Sequence, residues 1–275
     1  MLLTLLGTGC PKVDHKRFGP SNLISSKKTN ILIDCGSGVT QRLEELKIST
    51  ANIDALVLTH LHSDHVIDFY QLIISSWHSY RNKPWKIYGP KGTKKFLKNV
   101  MNACKEERNL RIKYESRSST KAFKLDITEF SKSGKIDIKD IILEFFEVDH
   151  YPVKHAYGFN FYNNKKKLTI SGDTKPCENL MKYAYLADVL LHEVYIEGEI
   201  KPVNKMRSAK TLHNVKAYHT TSTQVGKVAS LVKCKKLVLT HFVPTKFNQK
   251  RLQQVVKKDY GKNPIIGKDL LKINI

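Results

Sequence analysis

Thr59-His60-Leu61-His62-Ser63-Asp64-His65 follows directly on the apolar run Leu56-Val57-Leu58, and its reading decides the fold. His60, His62, Asp64 and His65 are all metal-binding types. His60 and His62 alternate about one residue, so an extended or looped backbone turns both imidazoles toward one divalent ion. Asp64 and His65 sit too far round to complete that site and are placed to bind a second ion beside it. Such a run builds half of a two-metal centre, with ligands suited to zinc or to manganese and iron. The competing reading, a polar loop that happens to be rich in histidine, leaves the rest of the chain unexplained.

A two-metal site needs ligands from elsewhere, and three other strand-like runs offer them. Glu144-Phe145-Phe146-Glu147-Val148 leads into Asp149-His150, Leu168-Thr169-Ile170 leads into Ser171-Gly172-Asp173-Thr174, and Lys236-Leu237-Val238-Leu239-Thr240 leads into His241. Apolar runs of this length, bounded by polar residues or glycine, read as buried strands. A lone His or Asp after a strand is more often a cap or a satisfied polar group. Three of them in the same kind of position as the first loop point to one shared site.

These pieces resemble the metallo-β-lactamase fold superfamily, in the branch similar to ribonuclease Z and the zinc-dependent arylsulfatase-like hydrolases. The resemblance runs through Leu6-Gly7-Thr8-Gly9, Pro11, Gly19-Pro20-Ser21, Ile33-Asp34-Cys35-Gly36 and the Thr59–His65 loop. It continues through Tyr88-Gly89-Pro90, Asp149-His150, Tyr157-Gly158-Phe159, Ser171-Gly172-Asp173-Thr174, His192-Glu193, His219-Thr220-Thr221 and Thr240-His241-Phe242. A lone GTG or GDT is weak evidence; the histidine motif in register with a later His, a GDT and a final THF is specific.

The resemblance implies an α/β chain folded as a four-layer αββα sandwich, with metals at one edge between the two sheets. It assigns His60, His62 and His150 to one ion and Asp64, His65 and His241 to the other, with Asp173 bridging. A carboxylate can span cations roughly 3.5–4 Å apart, which an imidazole cannot. No cysteine stands at a ligand position, a departure from the β-lactam hydrolases that argues against antibiotic hydrolysis. The activity implied is that of a binuclear metal-dependent hydrolase, with two divalent ions, zinc first and Mn2+ or Fe2+ as alternatives. The expected substrate is a phosphodiester, with RNA 3′-end cleavage among the possibilities; the alternative is a small sulfate ester or lactone. Asp64 is expected to orient the attacking water and take its proton. His219, held by Glu193, is expected to stabilise charge or protonate the leaving oxygen. His192, His15, His78, His155 and His213 read as structural.

Long-arm ribonuclease Z proteins carry an extended Gly/Pro-rich insertion that grips the transfer RNA elbow. Between the matching ligands His150 and Asp173 this chain has room for a strand pair and the Asn163-Asn164-Lys165-Lys166 turn, and for no arm. Residues 109–139 or 201–214 are left to shape the cleft.

Composition agrees with one domain over residues 1–275: no linker, internal repeat or low-complexity tract interrupts the pattern. Met1–Leu6 lacks the flanks of a signal peptide and reads as a first strand. No stretch approaches the roughly 20 apolar residues that cross a bilayer, so no membrane partner is expected. Five scattered cysteines (Cys10, Cys35, Cys104, Cys177, Cys234), with no CxxC pair, read as reduced thiols of a cytoplasmic protein. The formal net charge is +22. Such a surface attracts polyanions such as RNA, although the lysines are spread along the chain, as a Lys-rich proteome would also place them. A homodimer is compatible with the sequence, which carries no interface signature. Helices are expected over 38–46, 66–77, 93–104, 178–186 and 222–232. The last starts just after His219-Thr220-Thr221, so that its backbone N–H groups face the site and favour an anion. Residues 109–139 read as polar and ambiguous.

Overall fold

The computed structural model describes residues 1–203 and 206–275. The first half of the chain builds one sheet from β1 (Leu2–Gly7), β2 (Ser21–Ser25), β3 (Asn30–Ile33), β4 (Ala55–Val57), β5 (Trp85–Gly89) and β6 (Leu125–Glu129). The second half builds another from β7 (Ser133–Ile138), β8 (Ile141–Glu147), β9 (Tyr157–Asn163), β10 (Lys166–Ile170), β11 (Val189–Tyr195), β12 (Lys236–Val243) and β13 (Ile265–Ile266). The C-terminal β14 (Lys272–Asn274) crosses back to pair with β1, so the sheet orders are β14-β1-β2-β3-β4-β5-β6 and β13-β12-β11-β10-β9-β8-β7.

Each sheet pairs an antiparallel ribbon with a parallel run, β3-β4-β5-β6 in one and β10-β11-β12-β13 in the other. Leu3, Leu5, Ile31, Ile33 and Val57 of the first sheet pack against Phe159, Phe161, Leu168, Val189 and Leu191 of the second. The alternate residues of the same strands face outward and need helices to cover them. Leu23, Leu32 and Leu56 pack under α1 (Val39–Glu45), α3 (Phe69–His78) and α4 (Thr93–Ala103). Leu190, Val194, Leu237 and Leu239 pack under α6 (Glu178–Ala184), α8 (Ser222–Leu231) and α9 (Gln249–Tyr260). The result is the four-layer αββα sandwich that the sequence implies.

One sequence expectation needs correction, and two segments left open gain a description. Residues 66–77 are not one helix: α2 (Ser63–Val66) stops before α3 begins at Phe69. Between them Asp68 donates its N–H to the Cys35 carbonyl, and its carboxylate accepts from Thr40 at the start of α1. The ambiguous segment 109–139 holds the end of α5 (Lys105–Glu115) and the edge strands β6 and β7. Its polarity is that of a helix with no buried residue and of edge strands. In the segment 201–214, residues 204 and 205 lie outside the described residues; the rest includes most of α7 (Ala209–Ala217). Between His150 and Asp173 the β9–β10 hairpin leaves no room for an arm, as expected. All five cysteines are unpaired, and no helix is long and apolar enough to cross a membrane among the described residues.

The strands that carry candidate ligands, β4, β8, β10 and β12, all end at one edge of the sandwich, where Tyr157 N–H donates to the Thr59 carbonyl across the sheets at 3.0 Å. Gly172 makes the turn out of β10 possible. Its φ is +61°, and a Cβ there would stand 2.5 Å from the Tyr157 carbonyl oxygen. Gly172→Ala is expected to lower unfolding stability by roughly 1–3 kcal/mol, the usual cost of a strained backbone position, measured by urea titration. A wild-type midpoint would show that the turn relaxes at no cost.

Candidate metal centre

At that edge the sequence-predicted ligands converge. His60, His62, His150 and Asp173 form one group able to hold an ion, and Asp64, His65 and His241 form a second. Asp173 Oδ2 is their common point: it lies 3.2 Å from His241 Nε2, 3.4 Å from His65 Nε2, 3.8 Å from His60 Nε2 and 3.9 Å from His150 Nε2. Asp64 Oδ2 stands 3.3 Å from His241 Nε2 and 3.7 Å from His65 Nε2.

Local backbone explains how each side chain arrives. His60 and His62 project from the loop after β4, and Asp64 and His65 from the single turn of α2. His241 occupies a bulge: Thr240 pairs with Glu193 and Phe242 with Val194, leaving His241 unpaired at φ +43°. A bulge of this kind re-aims one side chain out of the strand's alternation.

The far side of each ring decides what the near side can do. His65 Nδ1 lies 2.8 Å from the Asp34 carboxylate, His60 Nδ1 lies 2.9 Å from the Thr59 hydroxyl, and His150 Nδ1 lies 2.9 Å from the Tyr218 carbonyl. The Thr59 hydroxyl itself donates to Asp34 at 2.9 Å. Acceptors at Nδ1 place the proton there and leave a lone pair on each Nε2, aimed at the cluster. His60 Nε2 and His65 Nε2 are buried and find no hydrogen-bond partner among the described residues. Unsatisfied buried nitrogens of this kind are rare in a settled structure. Here they fit a divalent cation, as do two carboxylates in the same shell, and the cluster forms a divalent-metal site.

Charge follows the same geometry. Burial alone would raise the Asp173 carboxyl, but His241, His65 and His60 hold it well below the usual carboxylate range. Burial would lower His65, yet Asp173, Asp34 and Asp64 lift it well above an ordinary imidazole. His60 is pushed well below its ordinary value by burial and by His65, toward the neutral form that binds metal.

His219 and Glu193 meet as expected: Nδ1 of the imidazole donates to Glu193 Oε1 at 2.9 Å. The same oxygen accepts Thr174 N–H at 3.0 Å and Thr220 N–H at 3.2 Å, so the carboxylate is fixed. His219 also falls within ligand reach of Asp173 and His241. An anion site is expected at the start of α8, and part of that helix end is already engaged. Thr221 and Gln224 close a capping box that occupies their backbone N–H groups. His192 lies buried on β11, with Nδ1 on the Glu193 carbonyl at 2.8 Å and no place in the cluster.

Asp34 is the contributor to which the sequence reading gave no role. It sits in a left-handed conformation (φ +59°) just beyond β3 and ties Thr59 N–H at 2.8 Å as well as His65. The signal was present in the Ile33-Asp34-Cys35-Gly36 stretch: an acid ending the strand beside β4.

Comparison with known proteins decides the family. A family model described as "Anti-Pycsar protein Apyc1" matches residues 1–254. The chain belongs to the anti-Pycsar protein Apyc1 family. This Apyc1-family chain is also a ribonuclease Z-like protein of the metallo-β-lactamase fold. It is 32% identical over 246 residues to ribonuclease Z of Mycolicibacterium gilvum, covering 88% of this chain and 84% of the relative. The metallo-β-lactamase fold protein YhfI of Bacillus subtilis superposes with TM-score 0.77 at 18% identity, over 99% of this chain and 98% of that one. The short form of human tRNase Z superposes with TM-score 0.73 at 22% identity, over 100% and 99%. The class read from the sequence, a hydrolase acting on phosphoester bonds, agrees with these relatives.

Asp34→Asn keeps an acceptor for Thr59 N–H but removes the acceptor that orients His65. It is expected to weaken zinc affinity by roughly 10–100-fold, read by competition with a chromophoric chelator while circular dichroism stays unchanged. Wild-type affinity would mean that the His65 orientation is set elsewhere.

Proposed function

We propose that this protein is a binuclear metal-dependent phosphodiesterase, acting on a phosphodiester that needs no grip on a transfer RNA elbow. The observation that carries the reading is the convergence of three unpartnered or carboxylate-facing Nε2 atoms, of His60, His65 and His241, on Asp173. The His219–Glu193 pair stands beside them. His60, His62, His150 and Asp173 would hold one ion; Asp64, His65, His241 and the same Asp173 would hold the other. When bound, such ions lower the pKa of water and neutralise charge on a phosphoryl oxygen.

The chain's own residues supply the rest. Asp64, on the single turn of α2, orients the attacking water and accepts its proton. Water oxygen forms a new bond to phosphorus as the bond to the leaving ester oxygen breaks. His219 Nε2 delivers a proton to that oxygen, giving a phosphomonoester and an alcohol. Glu193 holds the proton on Nδ1 and keeps the ring in place. The proposal includes zinc as the first metal, a cytoplasmic location suggested by unpaired cysteines, and association as a homodimer.

RNA is the second reading, favoured by the formal charge of +22 and by the names of the ribonuclease Z relatives. None of the relatives named above is a sulfatase or a lactonase.

Metal-loaded protein is expected to hydrolyse bis-p-nitrophenyl phosphate and to leave p-nitrophenyl sulfate nearly untouched. His219→Ala should retain its metal and lose roughly 100-fold or more in kcat, the scale of a missing general acid. Faster sulfate than phosphate cleavage would overturn the substrate class, and metal loss in His219→Ala would make His219 a ligand. If RNA is the substrate, its binding should weaken by about 10³-fold between roughly 50 and 200 mM salt.

A further inference from the structure

The metal ligands collect at one end of β10, β11 and β12, and the turns at the other end carry a different chemistry. β12 begins at Lys236 and rises to His241, so the two ends lie roughly 17 Å apart. Three turns meet at the far end: residues 163–167 between β9 and β10, residues 185–188 before β11, and residues 232–236 leading into β12. Hydrogen bonds tie them into one surface. Leu186 N–H donates to the Val232 carbonyl at 2.7 Å, Lys235 N–H to the Ala187 carbonyl at 2.9 Å, and Lys167 Nζ to the Tyr185 carbonyl at 2.9 Å.

This surface is apolar at its tips. Tyr185, Leu186 and Leu231 stand 46%, 57% and 66% exposed. Leu186 holds a left-handed backbone (φ +57°), a position that glycine or asparagine fills with less strain. Neither leucine belongs to the core packed beneath them. The turn thus presents a leucine to solvent where folding gains nothing from one. Around these tips the charge is one-sided, because the three turns hold six lysines and a single acid. That acid, Asp188, is already engaged. It accepts Lys167 N–H and Lys235 Nζ at 2.8 Å each and pairs with Lys166 at 3.7 Å. Lys165 and Lys233 are exposed, each at a left-handed turn position that points its side chain outward.

We propose that this end of the molecule docks on an anionic lipid surface. The lysines meet the headgroups, while Tyr185, Leu186 and Leu231 enter the boundary between headgroups and acyl chains. Two observations favour lipid over a nucleic-acid backbone, the other polyanion that such charge attracts. No arginine stands in these turns to fork onto phosphate. The protruding leucines offer no flat face for a base to stack on, and Lys233 Nζ already lies 5.7 Å over the Tyr185 ring. Among the described residues no helix is long and apolar enough to cross a bilayer, so the contact is a surface one. It leaves the metal edge facing away from the membrane, and it is independent of the reaction at that edge.

Sedimentation with vesicles tests the contact, comparing phosphatidylcholine alone with phosphatidylcholine containing phosphatidylserine. The protein is expected to bind the mixed vesicles roughly tenfold or more tightly than the neutral ones. Because a net charge of +22 attracts any anionic vesicle, variants decide where the contact lies. Leu186→Ser/Leu231→Ser keeps every charge and should lower affinity for the mixed vesicles roughly tenfold. Lys165→Gln/Lys233→Gln should lower it by a similar factor. Lys94→Gln/Lys95→Gln removes the same charge from the start of α4, at the metal end, and should leave it unchanged. Circular dichroism of all three should match wild type, since each of these side chains is exposed. Wild-type binding that ignores lipid composition overturns the proposal, as does a leucine variant that binds mixed vesicles like wild type. If the Lys165→Gln/Lys233→Gln variant loses affinity for a mixed-sequence RNA but keeps its affinity for mixed vesicles, the surface belongs to nucleic acid and the lipid proposal fails.

Discussion

Everything at the catalytic edge depends on one electrostatic constraint: Asp64, Asp173 and the facing imidazoles are packed together away from water. Removing a carboxylate from water costs several kcal/mol unless a cation compensates it. Asp173 is 3% exposed, and among the described residues no lysine or arginine forms an ion pair with it. Protonated imidazoles partly neutralise it: His241 is lifted to about 8 because Asp173 and a hydrogen bond to Asp64 outweigh the effect of burial. That arrangement leaves buried nitrogens on His60 and His65 unsatisfied. Divalent cations resolve both problems, since they neutralise the acids and accept the nitrogen lone pairs.

The sandwich makes such a concentration of polar groups tolerable by confining it to one edge. Four strand ends deliver the ligands, and the dry core between the sheets begins immediately behind them with Val57, Tyr157 and Ile170. A second ring of hydrogen bonds, from Asp34, Thr59 and the Tyr218 carbonyl, fixes the imidazoles of His65, His60 and His150 before any ligand arrives.

Much of this was legible in the chain. His60 to His65 could be read because four ligand types in one loop have few other uses, and His150, Asp173 and His241 because each closes a short apolar run. The αββα layering followed from a resemblance whose motifs are spread from Leu6 to Phe242. Asp34 escaped a role because a single acid after a strand looks like a cap until its distance to His65 is known. The bulge that aims His241 was invisible, since Leu239-Thr240-His241-Phe242 has no glycine or proline to mark it. The break at Asp68 was missed for a related reason: its carboxylate bonds across to α1, a tertiary contact that overrides the local helical pattern. That two backbone N–H groups at the start of α8 are already engaged likewise depends on Gln224 reaching back to Thr221.

The central claim is that the two clusters sharing Asp173 each hold a cation, and elemental analysis tests it most directly. Protein purified without chelator and equilibrated with zinc should carry about two equivalents per chain by inductively coupled plasma mass spectrometry. Asp173→Ala, which removes the shared ligand, should lower both occupancies. Saturation at one equivalent or none in the wild type would contradict the account.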